Sequence, residues 1–318
     1  MESSRNRNDF ILPVTLRKKR RQPKLMVIVK IIGGLGNQMF QYAAARALAL
    51  RKGVPLKLDV SGFATYGLHQ GFELTHVFNI DMDLAESEDV RKILGWQSRP
   101  KIRSLLSRPR FSLLRSNKLV IEPSFNYWDK IHEVPHDCYL KGYWQTEKYF
   151  YDAAAAIRRD FVFHSPLDKK NAESAELISD VNAVSLHVRR GDYVSDPRTA
   201  ETHGLCSIEY YRAALKVVAE RVPNAHLFVF SDDICWVRKN LPLDLPAHYI
   251  DHNQGGQSFN DMRLMSFCKH NIIANSSFSW WAAWLNANVD KLVIAPSRWL
   301  NSAQHDTRDL YCPDWVVL

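Results

Sequence analysis

Residues 25–60 read LMVIVKIIGGLGNQMFQYAAARALALRKGVPLKLDV, and the architecture follows from them. Leu25 to Ile32 is a continuous apolar run broken only by Lys30, the pattern of a strand buried on both faces. It ends in Gly33-Gly34-Leu35-Gly36. From Asn37 to Lys52 alanine, leucine and arginine dominate, all good helix formers. Gly53 stands where a helix end needs a left-handed residue. Val54 to Val60 returns to strand character. Strand, glycine turn, helix and strand make a βαβ unit, whose strands are parallel.

Beyond this unit, about Ser61 to Val120 is irregular and suits loops and short helices. Cys138 to Trp144 has strand character, and Glu147 to Phe161 reads as a helix. A second alternating series follows. Its strands are expected at Ala183–Val188, His226–Phe230, His248–Ile250, Asn271–Ala274 and Lys291–Ala295. Its helices are expected at Ser207–Arg221, Phe259–Cys268 and Phe278–Asn286. The fold class is therefore α/β, with two Rossmann-like halves. The polar stretch Ser165–Asp180 reads as their boundary. This gives a basic tail over 1–24, one half over 25–175 and another over 176–318. Ligands of such sheets sit beyond the carboxyl ends of the strands. The candidate segments are Gly33–Gln38, His187–Tyr193, Ser231–Asp233 and Asn275–Ser279, around a cleft.

The chain of 318 residues is 46% hydrophobic and 24% charged, which excludes wholesale disorder and fibrous folds. No apolar run approaches the roughly 20 residues that span a bilayer. Phe10 to Val14 is too short for a secretory signal and precedes the basic cluster instead of following it. The net charge is +8, of which residues 1–25 carry +6. The block Arg17-Lys18-Lys19-Arg20-Arg21 suits peripheral contact with an anionic membrane, or nucleic acid, or a solvated tail without a partner. A nearly neutral body without a binding motif argues against a nucleic-acid partner. Arg99 to Lys118 holds seven basic residues and no acid; Pro100 and Pro109 oppose one amphipathic helix there, so a basic surface loop is the plainer reading. The five cysteines are odd in number and form no Cys-x-x-Cys pair. That fits reduced, mostly buried thiols and a cytoplasmic location, and argues against disulfides or structural zinc.

Three segments carry the candidate chemistry. Gly34 and Gly36 let a ligand approach the backbone at a helix start, but Met39 stands where a dinucleotide fingerprint has its third glycine. Asn37 and Gln38 add polar side chains suited to a sugar. In His187-Val188-Arg189-Arg190-Gly191-Asp192-Tyr193 a strand delivers two arginines to its carboxyl end. Guanidinium groups bind phosphate oxygens bidentately, and one can stabilise a departing diphosphate. Alternation places His187 and Arg189 on one face and Arg190 on the other; Asp192 orients an arginine or caps the turn. Asn275-Ser276-Ser277 follows a strand and opens a helix, the setting of an anion nest; Trp280, Trp281 and Trp284 behind it suit the core. Asp261, near a helix start, accepts hydrogen bonds from a base or caps the helix. Asp232-Asp233 and Asp81-Met82-Asp83 lack the further ligands a metal needs.

Together, IIGGLGNQMFQYAAARAL, YLKGYWQTEKYF, HVRRGDYV, GLCSIEYYRAA, FSDD and DMRLMSFCKHNIIANSSFSWWAAWLN resemble the bacterial alpha-1,2-fucosyltransferases of glycosyltransferase family 11, over about Val27 to Trp299. HxRRxDY is also similar to a motif of alpha-1,6- and protein O-fucosyltransferases, so a fucosyltransferase of another linkage or with a protein acceptor is the alternative. The resemblance implies a GT-B-like fold with the donor site in the C-terminal half. It implies inverting, metal-independent transfer of L-fucose from GDP-fucose to the 2-hydroxyl of a terminal galactose, with no cofactor. By motif, Arg189 holds the donor phosphates and His187 lies near the guanosine; Asp261 reads the guanine, Ser276 and Ser277 hold the phosphates, and Asn37 touches the acceptor or the departing phosphate. Ala282 stands where the family often has glycine, the loop Asp251–Ser258 is longer than usual, and the basic tail is outside the pattern.

Overall fold

The computed structural model describes residues 25–65, 70–191, 204–301 and 306–318. In the amino-terminal lobe β1 (Val27–Lys30) leads through the glycine turn into α1 (Leu35–Lys52) and β2 (Leu56–Asp59). Gly53 ends α1 at φ 62°, and its amide donates to Ala49 and Leu50 carbonyls. Then come α2 (Leu74–Val77), β3 (Asp83–Leu84), α3 (Ser87–Leu94), α4 (Pro100–Leu106), β4 (Leu119–Ile121) and β5 (Cys138–Lys141). All five strands pair in parallel, in the order β3-β2-β1-β5-β4.

Two expectations change at the junction. Glu147–Phe161 is two short 3₁₀ turns followed by α5 (Ala154–Asp160), because Thr146 caps the first turn and Phe150 leaves helical geometry. The stretch Ser165–Asp180 is not a plain connector. Asp168 caps α6 (Lys169–Asp180) by accepting from the Asn171 amide at 3.0 Å, and α6 buries Asn171, Ser174 and Ile178.

The second sheet collects β6 (Asn182–Val188), β7 (Ala225–Ser231), β8 (Ala247–Ile250), β9 (His270–Ile272), β10 (Val293–Ala295) and β11 (Val316–Val317). Their helices are α7 (Ile208–Arg221), α8 (Ile234–Asn240), α9 (Phe259–Phe267) and α10 (Ser277–Leu285). The order β8-β7-β6-β9-β10-β11 is the Rossmann order, and all pairs are parallel. Strand order therefore reverses between β6 and β9 here, and between β1 and β5 in the first sheet. Ligands bind such sheets at those reversals.

One apolar cluster joins the lobes through α1 and α10. Phe40 packs on Trp280 and Trp281 with ring centroids at 4.4 and 4.9 Å, and Phe150 stacks on Trp281 at 5.4 Å. Such pairs add about 0.5–1.5 kcal/mol each beyond their burial. The three indoles also donate, Trp280 to the Leu310 carbonyl, Trp281 to Gly36 and Trp284 to Glu147. All five cysteines are free thiols, with Cys235 alone exposed. Among the described residues no helix is long and apolar enough to cross a membrane.

Candidate functional site

The glycine turn is built for close packing. Gly33 adopts φ 80°, a left-handed conformation that favours glycine. A Cβ on Gly36 would lie 2.6 Å from the Ser277 carbonyl carbon and 2.7 Å from the Phe278 nitrogen. Gly36 thus lets the first turn of α1 meet the first turn of α10, and its carbonyl accepts from Trp281 at 3.0 Å. At Gly36 the close approach is to protein backbone, while Gly34 is the N-cap of α1. The Leu35 amide, at the start of α1, donates to Glu73. That carboxyl is buried, and desolvation pushes it up to about 7.

Gln38, read as a sugar contact, is buried and structural. Its amide donates to the Gly33 and Gly71 carbonyls at 2.9 and 2.7 Å and its oxygen accepts from the Glu73 amide, which fixes the loop before α2. Asn37 remains half-buried at the turn and accepts from Gln145 at 2.6 Å. Gln145 comes from the turn after β5, so this bond closes the strand reversal of the first sheet. Glu122 holds that turn by accepting from the Tyr143 and Trp144 amides at 2.6 and 2.8 Å. Trp144 there has φ 57°, a conformation that costs a non-glycine residue about 1 kcal/mol or more.

Across the second sheet, His187 and Arg189 leave β6. His187 is 5% exposed, and burial with the neighbouring Arg189 charge lowers it to about 4, so the ring is neutral at physiological pH. Arg189 lies 3.0 Å from the Asp232 carboxylate, which also accepts from the Arg190 amide at 2.8 Å. Asp232, weighed above as half of a metal motif, is therefore the anchor of the arginine pair, supplied by the turn after β7. Arg190 points to the other side. Its guanidinium stacks 3.7 Å from the Trp236 ring centroid and lies 3.6 Å from Asp233, so it braces the turn and is not aimed with Arg189. Asp192 lies outside the described residues.

After β9, Ser276 caps α10, its hydroxyl accepting from the Phe278 amide at 3.3 Å; Ser277 is the first helical residue. The side chain of Asn275 is engaged by the Gly204 and Trp299 carbonyls and the Cys206 thiol, which makes it a scaffold for this turn. The Phe278 ring lies 6.0 Å from that of His187, so the ends of β6 and β9 meet at the strand reversal. Asp261, in the first turn of α9, accepts from Asn253 at 2.8 Å, and burial pushes it up to about 7. The loop 251–258 is tied down by Asn171, which bonds Asn253 and His252. Among the described residues no three His, Cys, Asp or Glu side chains converge as a metal-ligand set.

The structure thus gathers His187, Arg189, Ser276 and Ser277 at one reversal and Asn37 at the facing turn. Sequence patterns did not single out Gln145, Glu73 or Glu122. Each matters through a partner distant in sequence, and only their polarity beside a strand end could have flagged them.

The chain is similar to known proteins along most of its length. Residues 117–318 match Glycosyl transferase family 11. The chain is 37% identical over 297 residues to an alpha-1,2-colitosyltransferase of Escherichia coli, covering 92% of this chain and 98% of that protein. It is 34% identical to an O-antigen biosynthesis glycosyltransferase, WbnK, of Escherichia coli, covering 90% and 98%. A mouse galactoside 2-alpha-L-fucosyltransferase, Sec1, is 24% identical, covering 92% of this chain and 73% of that protein. In fold the chain is similar to the fucosyltransferase NodZ from Bradyrhizobium, with a TM-score of 0.50 at 16% identity, over 82% of this chain and 92% of that one. The family match spans more than half of the chain and the colitosyltransferase match nearly all of it, so the chain belongs to glycosyl transferase family 11.

Proposed function

We propose that this enzyme transfers L-fucose, with inversion, from GDP-fucose to the 2-hydroxyl of a terminal galactoside, without a metal. The observation that carries the reading is Arg189, held by Asp232 at the strand reversal of the second sheet and beside the α10 start. A departing GDP develops charge on its β-phosphate. A pre-oriented guanidinium stabilises that charge without reorganising, and the helix start with the Ser276 and Ser277 hydroxyls adds donors. Neutral His187 packs beside the guanosine. Asp261 accepts from the guanine N–H groups in its ionised form. Asn37, fixed by Gln145, meets the acceptor or the leaving phosphate. NodZ has been crystallised with GDP, which supports a guanosine nucleotide here.

A second donor has a specific observation in its favour: identity to the colitosyltransferase is 37%, against 24% to the mouse fucosyltransferase. Colitose is fucose without one ring hydroxyl, so both fit the same phosphate and base contacts. Incubation with lactose and either GDP-fucose or GDP-colitose, followed by NMR of the product, tests both. Transfer from GDP-fucose with an alpha-1,2 linkage is expected; transfer from GDP-colitose alone overturns the fucose assignment, and another linkage overturns the acceptor assignment.

A further inference from the structure

A second set of cations meets at the carboxyl edge of the first sheet. Lys30 is in register with Asp59, and Val29 with Leu140, so Lys141 follows beside Lys30. Alternation puts all three on one face. β1 and β5, which end in the two lysines, flank the strand reversal of this sheet. Helix α4 turns Arg103 onto the same face, 3.5 Å from Asp59 and over the Tyr139 ring at 4.6 Å. The Arg99–Lys118 stretch, read from sequence as a basic surface loop, is thus partly directed inward, with Arg103 buried.

Two of these cations, Lys30 and Arg103, meet one carboxylate, and that carboxylate is saturated. Asp59 accepts from the Ser61 amide at 2.9 Å, the Tyr139 hydroxyl at 2.5 Å and Lys30 at 3.3 Å. Lys141 donates to the Ser107 hydroxyl at 2.9 Å and pairs with no carboxylate among the described residues. The next acids are engaged elsewhere, Asp89 by Lys57 and Glu122 by backbone amides. Burial and the neighbouring cations hold both Lys30 and Lys141 below the ordinary lysine range. A Cβ on Gly62 would lie 3.2 Å from the Lys30 ammonium, so the glycine lets the backbone after β2 pack closely on that lysine. A partly buried cluster with surplus positive charge calls for an anion.

We infer that Lys30, Arg103 and Lys141, organised by Asp59, form a subsite for an oxyanion, a phosphate or carboxylate carried by the acceptor. The assignment rests on the transferase reading, which gives the donor phosphates to Arg189 on the other sheet and leaves this sheet to the acceptor.

The test uses the full chain saturated with GDP, as wild type, Lys141→Gln and Lys141→Arg. Calorimetric titration with inorganic phosphate and with acetate is expected to show saturable binding that weakens about tenfold in Lys141→Gln and persists in Lys141→Arg. Galactosides bearing a phosphate or a carboxylate are expected to show a KM about tenfold below that of lactose, a gap that Lys141→Gln closes without changing turnover of lactose. Which anion gains more identifies its source. Absence of anion binding in the wild type, equal binding by Lys141→Gln, or a shift confined to the KM for the GDP-sugar overturns the subsite. Failure to turn over any galactoside while phosphate binding stays sensitive to Lys141 overturns the transferase reading and leaves the anion site standing.

Discussion

Replacing Gly36 by alanine tests how the two lobes are joined. The added Cβ would stand 2.6 Å from the Ser277 carbonyl carbon and 2.7 Å from both the Ser277 oxygen and the Phe278 nitrogen. All three are backbone atoms of the first turn of α10, so no rotamer change relieves the overlap. Reaching ordinary contact near 3.4 Å requires one helix end to withdraw by about 0.8 Å. A direct withdrawal stretches the bond from Trp281 to the Gly36 carbonyl from 3.0 Å beyond hydrogen-bonding range. Overpacking costs about 1–3 kcal/mol, and an orphaned buried N–H costs a similar amount. Because each relieves the other in part, a total of about 2–4 kcal/mol is expected. At an unfolding entropy of about 2.1 cal/mol/K per residue this lowers Tm by ~3–6 °C. The same turns carry Asn37 and Ser276, so kcat/KM should also fall, by up to about 100-fold for a displacement near 1 Å. Scanning fluorimetry and steady-state kinetics measure the two effects, with Gly256→Ala, whose Cβ meets nothing within 4 Å, as the control. If Gly36→Ala keeps the wild-type Tm and rate, the lobes are not joined through this contact.

Three further outcomes are expected. Arg189→Ala should lower kcat by about 100- to 1000-fold, roughly 3–4 kcal/mol, while the protein stays folded by circular dichroism; a near-normal rate removes this residue from leaving-group stabilisation. Transfer should continue at full rate in EDTA, and a strict requirement for Mn²⁺ or Mg²⁺ would show that Arg189 does not suffice. Stability should fall as pH rises through about 7, because Glu73, Glu122 and Asp261 are all pushed up to about 7 and keep protons in the folded state that the unfolded chain has released. His187, lowered to about 4, acts in the opposite sense: its contribution is present above 6.5 and is lost as pH falls towards 4. Melts between pH 5 and 8 should therefore slope downward to about pH 7 and level off above it, with a shallower slope in Glu122→Gln; a rising curve contradicts the assignment.

The fold was legible where one physical signal dominated. The apolar run before Gly33, the helix ending at Gly53 and the alternation after Ala183 each carry their own period and punctuation, and each element stands close to its expected place. Strand β11 was not legible, because two residues paired to β10 leave no periodicity. Nor was the inward turn of Arg103: a basic residue in a basic stretch reads as surface until Asp59, 44 positions earlier, is seen to meet it. The site divides in the same way. His187 and Arg189 were visible because a strand end delivers them together. The scaffold role of Asn275 was not legible, because its partners, the Gly204 and Trp299 carbonyls and the Cys206 thiol, lie far from it in sequence.

Each sheet reverses its strand order once, and each reversal carries cationic side chains, Arg189 in one and the Lys30–Arg103–Lys141 group in the other. The counter-charges differ in kind. Asp232, in the turn after β7, holds Arg189 and has side-chain exposure of 25%, so a phosphate can compete for the guanidinium and leave the carboxylate solvated. Asp59 is 3% exposed in its side chain and bound by four partners, so it cannot be displaced, and any anion arriving there must add to it. The first arrangement suits a charge that arrives and departs in each catalytic cycle. The second suits a standing positive field, one that favours an anionic group held at a distance from the reacting atoms. Salt should separate the two: raising ionic strength screens the standing field and should raise the KM of an anionic galactoside more steeply than the kcat responds.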